Sequence, residues 1–155
     1  MPKAMWKLEK LDLFRGLNAM EVQEVAKISS KVRYDRGAVV IEENSERDVY
    51  VLIEGSVEII SPGNVPLYRV SRGEIFGELA LLPSIKRTAS AICREDSWVL
   101  VMNINHLEAL GEENPRIRRI ISDNIVQSLG VKLARANKLI ELLKTELARS
   151  IKDRG

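Results

Sequence analysis

Gly77, Glu78 and Arg87 are the residues whose types and spacing suggest shared chemistry. They sit in Gly73-Glu-Ile-Phe-Gly77-Glu78-Leu-Ala80-Leu-Leu82-Pro83-Ser-Ile-Lys-Arg87-Thr88-Ala89-Ser90, a stretch between strand-like runs that does not itself alternate. Gly77 lets the backbone approach a ligand closely or take a positive φ. Glu78-Leu79-Ala80-Leu81-Leu82 favours one helical turn, ended by Pro83. The first N–H groups of such a turn lack intrahelical partners and form a cradle for an anion. Arg87 follows nine residues after Glu78, where the next strand begins. A planar guanidinium facing free N–H groups suits a phosphate. A carboxylate beside it suits sugar hydroxyls. Phosphate donors with a sugar acceptor describe a nucleotide carrying one phosphate. The same residues read equally well as a structural ion pair, Glu78 to Arg87, closing a loop.

The elements that must hold this segment fall in three zones. Up to about residue 30, Leu8, Leu11 and Leu13-Phe14 form an apolar patch and Gly16 breaks the chain. Asn18 followed by Glu21 is a capping-box pattern, and Val22, Val25, Ala26 and Ile28 recur at helical spacing. Two short helices joined by a turn are expected. Over about 31–103 the period changes. Short β-branched runs at Val32/Tyr34, 39–41, 49–53, 57–60, 67–70, 89–92 and 98–102 are separated by turn residues, the pattern of a sandwich or barrel. From about 104 the chain reads as helical, with a short helix near 105–111 and a long one capped by Asn114 with Pro115 at its first position. Ile117, Ile121, Ile125, Leu129, Leu133, Ala136, Ile140, Leu143, Leu147 and Ile151 make one apolar stripe. Such a helix of about 35 residues reaches roughly 50 Å, more than one small core can cover. A second copy of the helix is the simplest cover. Gly130 costs this helix about 1 kcal/mol and offers a place to kink.

Phe76-Gly77-Glu78-Leu79-Ala80-Leu81-Leu82 followed by Arg87-Thr88-Ala89-Ser90 resembles the phosphate-binding cassette of cyclic nucleotide-binding domains. Leu13-Phe14-Arg15-Gly16-Leu17 resembles that family's opening helical turn, and Tyr50-Val51-Leu52-Ile53-Glu54-Gly55-Ser56-Val57 its central hairpin. Gly37, Gly55, Gly73 and Gly77 fall where the family has glycine. Asn114-Pro115 matches the start of the long helix in bacterial members. The resemblance covers about residues 8–140. It implies an eight-stranded antiparallel β-roll with N-terminal helices and a long C-terminal helix. Residues 1–112 would form the N-terminal helices and roll, and 113–155 the hinge and dimerisation helix of the same domain. Glu78 would bind the ribose 2′-hydroxyl and Arg87 the cyclic phosphate of cAMP or cGMP. N–H groups at Gly77, Ala80 and Thr88 would complete the cradle. Leu79, Ala89 and Val40 would line the pocket, Val40 as a wall near the base. Thr88 stands where cGMP-preferring kinase sites have a threonine that bonds guanine. Lys132 and Leu133 are the base-contact candidates, standing about where the catabolite activator has hydroxyl residues. Glu43 and Glu46 replace glycines common in an early loop of the family.

Composition narrows the functional classes. One cysteine, Cys93, and one histidine, His106, leave no disulfide framework and no Cys-rich metal site. No nucleophile–base pair stands out, so a non-catalytic module without a cofactor is expected. No apolar run has bilayer length, and the start lacks a signal-peptide core. A cytoplasmic protein with no membrane span is expected. Residues 114–155 carry ten Lys/Arg against four Asp/Glu, a balance of +6, and residues 1–113 a balance of −4. That tail reads as the solvated flank of a dimer helix. The chain ends after the long helix with no helix-turn-helix, so no direct DNA binding is expected. The output is expected through homodimerisation and an unknown protein effector. The competing reading is a ligand-independent interaction scaffold. Cys93 is expected to be a small buried residue, His106 a surface or packing residue, and Trp98 a residue packed under the sheet.

Overall fold

The computed structural model describes residues 7–41, 47–81 and 89–154, the side chains of Ala80 and Leu81 excepted. Glu43 and Glu46 lie outside the described residues. The chain divides into two compact units, residues 1–125 and 126–155.

The first unit opens differently from the expected pair of short helices. In place of the first helix stand two single 3₁₀ turns, Leu8–Lys10 and Asp12–Phe14, separated by Leu11 in extended conformation. Three-residue turns cannot propagate into a helix when an extended residue intervenes. The extended Leu11 itself is buried, as are Leu13 and Phe14. Helix α1, Ala19–Lys27, forms as the pattern requires. Asn18 accepts from the Glu21 N–H and the Glu21 carboxylate accepts from the Asn18 N–H, both at 2.9 Å. This box satisfies donors that a helix start otherwise leaves open.

Eight strands follow: β1 Ser29–Tyr34, β2 Val39–Ile41, β3 Asp48–Glu54, β4 Val57–Ile60, β5 Pro66–Val70, β6 Ile75–Phe76, β7 Ser90–Cys93 and β8 Ser97–Asn103. They pair antiparallel in two four-stranded sheets, ordered β1-β8-β3-β6 and β2-β7-β4-β5. This is the antiparallel roll that the family resemblance implied, where the run-and-turn pattern alone had called for a sandwich or barrel. Strand β6 is the one the pattern did not show. Two residues are too short for alternation, and β6 is held by pairing Tyr50 with Phe76 and Val51 with Ile75. Ile41, Leu52, Val57, Val70, Phe76, Cys93 and Val99 fill the core shared by both sheets. Cys93 is fully buried, as expected, and burial pushes its thiol pKa up. Trp98 is half-buried between the buried Ser97 and Val99, so it borders the core and does not fill it.

Helix α2, Ile104–Glu113, takes Asn103 as its N-cap and leaves His106 exposed. Helix α3, Pro115–Asp153, begins at the expected proline, and the Asn114 carbonyl accepts its first bond from the Arg118 N–H. Ile117, Ile121 and Ile125 bury the part of α3 inside the first unit. Asn124 donates to the carbonyls of Leu13 and Arg15 at 2.8 and 2.9 Å. Arg116 pairs with Glu21. In the second unit α3 runs unbroken through Gly130. There Leu133, Leu139, Ile140, Leu143, Leu147 and Ile151 are exposed.

Candidate functional site

The site is built on strands β3 and β6. Tyr50 and Phe76 face each other across the ladder with ring centroids 5.2 Å apart and planes 18° from parallel. The pairing is continued by the Gly73 N–H to the Leu52 carbonyl at 2.7 Å and the Leu52 N–H to the Glu74 carbonyl at 3.0 Å. A buried aromatic pair on a bonded ladder is a stiff floor.

Gly77 leaves that floor with φ +73°. A Cβ there would stand 2.7 Å from Tyr50 Cδ2 and 3.0 Å from Ile41 Cδ1. Both the backbone conformation and the space therefore require glycine. The chain then makes the expected turn, a 3₁₀ helix over Glu78–Leu81. It turns Glu78 inward and leaves Leu79 exposed. Among the described residues Glu78 is the one buried charged side chain, 4% exposed. A carboxylate taken from water costs several kcal/mol unless donors or cations surround it.

Tyr68 on β5 marks the neighbourhood of that carboxylate. Its phenol pKa is raised, first by burial and then by the negative charges of Glu78 and Glu74. The hydroxyl keeps its proton throughout the physiological range and so remains a donor beside an acceptor.

Of the other predicted site residues, Val40 and Ala89 are half-buried against the same core as Tyr50 and Phe76. Gly77, Glu78, Val40 and Ala89 are thus gathered around one floor. Arg87 and Thr88 lie outside the described residues, and of Ala80 only the backbone is described. Lys132 and Leu133 belong to the second unit, Lys132 half-buried and Leu133 exposed. Sequence reasoning did not single out Tyr50 or Tyr68 as site residues. Tyr50 reads as one more member of an apolar strand, and Tyr68 lies nine residues before the cassette glycine. Strand pairing brings Tyr50 beside Phe76 and Gly77, and Tyr68 reaches the field of Glu78 from β5 of the other sheet.

Comparison with known proteins agrees with this fold. The sequence profile of the cyclic nucleotide-binding domain matches residues 31–114, more than half of the chain. The potassium channel KAT2 of Oryza sativa subsp. japonica is 30% identical over 126 residues, 79% of this chain and 21% of the channel. A cAMP-dependent protein kinase regulatory subunit of Aspergillus fumigatus is 36% identical over 93 residues, 57% of this chain and 22% of that subunit. The chain therefore spans about a fifth of the length of these curated relatives. The crystal structure of the Thermus thermophilus catabolite activator protein superposes with a TM-score of 0.69 at 26% identity, covering 86% of this chain and 63% of that one.

Proposed function

The chain belongs to the cyclic nucleotide-binding domain family, and from that premise we propose that it is a non-catalytic regulatory module that binds cAMP or cGMP. The observation that carries this reading is the buried carboxylate of Glu78 beside the positive-φ, sterically obligatory Gly77. A buried carboxylate at the start of a helical turn is matched by a ligand that offers hydroxyls to the carboxylate and phosphate oxygens to backbone N–H groups. In this reading Glu78 accepts from the ribose 2′-hydroxyl. Arg87 and the N–H groups of Gly77, Ala80 and Thr88 hold the cyclic phosphate. Leu79, Ala89 and Val40 shape the apolar wall. Lys132 and Leu133 are the residues for the base.

Signalling would run through α3. Its exposed apolar residues in the second unit need a cover, and a second copy of the helix supplies a matching one. A homodimer acting on a protein effector in the cytoplasm completes the proposal. No described helix is long and apolar enough to cross a membrane.

Calorimetry with cAMP and cGMP tests the reading. Saturable binding of either, lost in Arg87→Ala and Glu78→Ala, is the expected result. If neither nucleotide binds and neither moves the melting temperature, the ligand-independent scaffold becomes the better account.

A further inference from the structure

A cavity of about 430 Å³ opens in the first unit, on residues that the proposed nucleotide site does not use. Its apolar wall is Leu8, Leu11 and Ile53, and Lys7, Lys10 and Arg72 stand around it. Leu11 and Ile53 are buried while the three cations are exposed. None of these cations makes an ion pair or side-chain hydrogen bond with another described residue. Two nearby carboxylates are already engaged, Asp12 by Arg15 at 3.0 Å and Glu74 by the Ser71 N–H at 3.1 Å. The cavity is of a size that takes a small organic molecule, and it combines an apolar wall with a few convergent polar groups. Three unneutralised cations set the sign of the charge it prefers.

We propose that this cleft, between the first 3₁₀ turn and the Arg72-Gly73 turn, binds a small organic anion with a flat apolar body. The apolar part would lie on Leu8, Leu11 and Ile53. The anionic group would face Lys7, Lys10 and Arg72. The cleft wall is tied to the frame at Gly73, whose carbonyl accepts from the Asp12 N–H at 3.0 Å.

The probe is 1-naphthalenesulfonate, followed by amide NMR shifts of the full chain with and without saturating cAMP. Saturable shifts at Leu8, Ile53 and Gly73 are expected in both conditions, so the result does not depend on the nucleotide reading. Charge reversal in Lys10→Glu/Arg72→Glu should weaken binding about tenfold, a change of about 1.4 kcal/mol. Neutral 1-naphthalenemethanol should bind about as weakly as that variant binds the sulfonate. If the double reversal unfolds the domain, Lys10→Gln is the milder variant and should also bind more weakly than wild type. The proposal is overturned if the shifts do not saturate or fall only within 126–155. Equal binding of the neutral probe, or of the charge variants, overturns it as well.

Discussion

Gly77 carries two constraints that a single substitution tests at once. Alanine there must adopt a left-handed backbone and push Tyr50 or Ile41 aside. Gly77→Ala is expected to cost about 1–3 kcal/mol, read as a lowered melting temperature. It should weaken nucleotide binding further, because the turn that presents Glu78 shifts with it. If Arg87 holds the phosphate as proposed, Arg87→Ala should cost about 2–5 kcal/mol of binding, because the phosphate charge would lose its counterion. Calorimetry reads the difference, and equal affinity in mutant and wild type would remove Arg87 from the site. Cys93 gives the opposite kind of prediction. Its thiol is fully buried and its pKa is raised by that burial. It should react slowly with a disulfide reagent in the native protein and at the rate of free cysteine in urea. At this scale the sequence was legible where residue type alone decides. The positive φ of Gly77 and the burial of Cys93 follow from their chemistry and neighbours. Tyr68 was not legible, because it stands in a different sheet from the strand that leads into Glu78, and no local pattern reveals how two sheets face each other.

The elements differ in how far their own residues determine them. Helix α1 is written in its sequence, since Asn18 and Glu21 cap it reciprocally. Strand β6 is not, because a two-residue strand has no period and exists only through its pairing with β3. The opening 3₁₀ turns are a third case. Their apolar residues were visible, but their shape follows from what they pack against. Asn124 shows one such outside determinant, holding the Leu13 and Arg15 carbonyls from α3. Asn124→Ala should lower stability by about 1–3 kcal/mol, because two carbonyls lose their donor. A thermal melt checks it. The pH dependence of this region follows from Glu21. Its pKa is lowered, first by the hydrogen bond from Arg116 and then by the Asn18 N–H. Its stabilising contribution is therefore present above the ordinary glutamate value of about 4.3 and is lost as pH falls through the lowered value. Asp12 runs the other way, since burial raises its pKa and its contribution is lost as pH rises through that value. Glu21→Gln should flatten the acid side of a stability–pH curve. An unchanged curve would assign the acid sensitivity elsewhere.

At the scale of the molecule, charge and apolar surface separate along the chain. The basic stretch from residue 114 onward contains the exposed Leu139, Leu143 and Leu147, one helical turn apart. If a second copy covers them, light scattering should return twice the 17.5 kDa chain mass. Leu143→Asp/Leu147→Asp should return the single mass with the roll still folded. A single mass for the wild type would reject the dimer. The full length of this stripe was readable from its spacing. That one core covers only part of it was readable too; what was not readable is where the cover stops, after Ile125, with Leu129 half-buried and Leu133 and beyond exposed.

Glu21 joins residues that are far apart in the chain, and this has a consequence for how the chain can change. One carboxylate accepts both the Asn18 N–H and the Arg116 guanidinium. The energetic effects of substituting residues 18 and 116 should therefore not add, and a double-mutant cycle between them should show coupling. A replacement at position 18 that is neutral beside Arg116 can be harmful without it. The helix start and the base of α3 are then expected to vary together in any lineage that carries this glutamate, although nothing in either local sequence records the dependence.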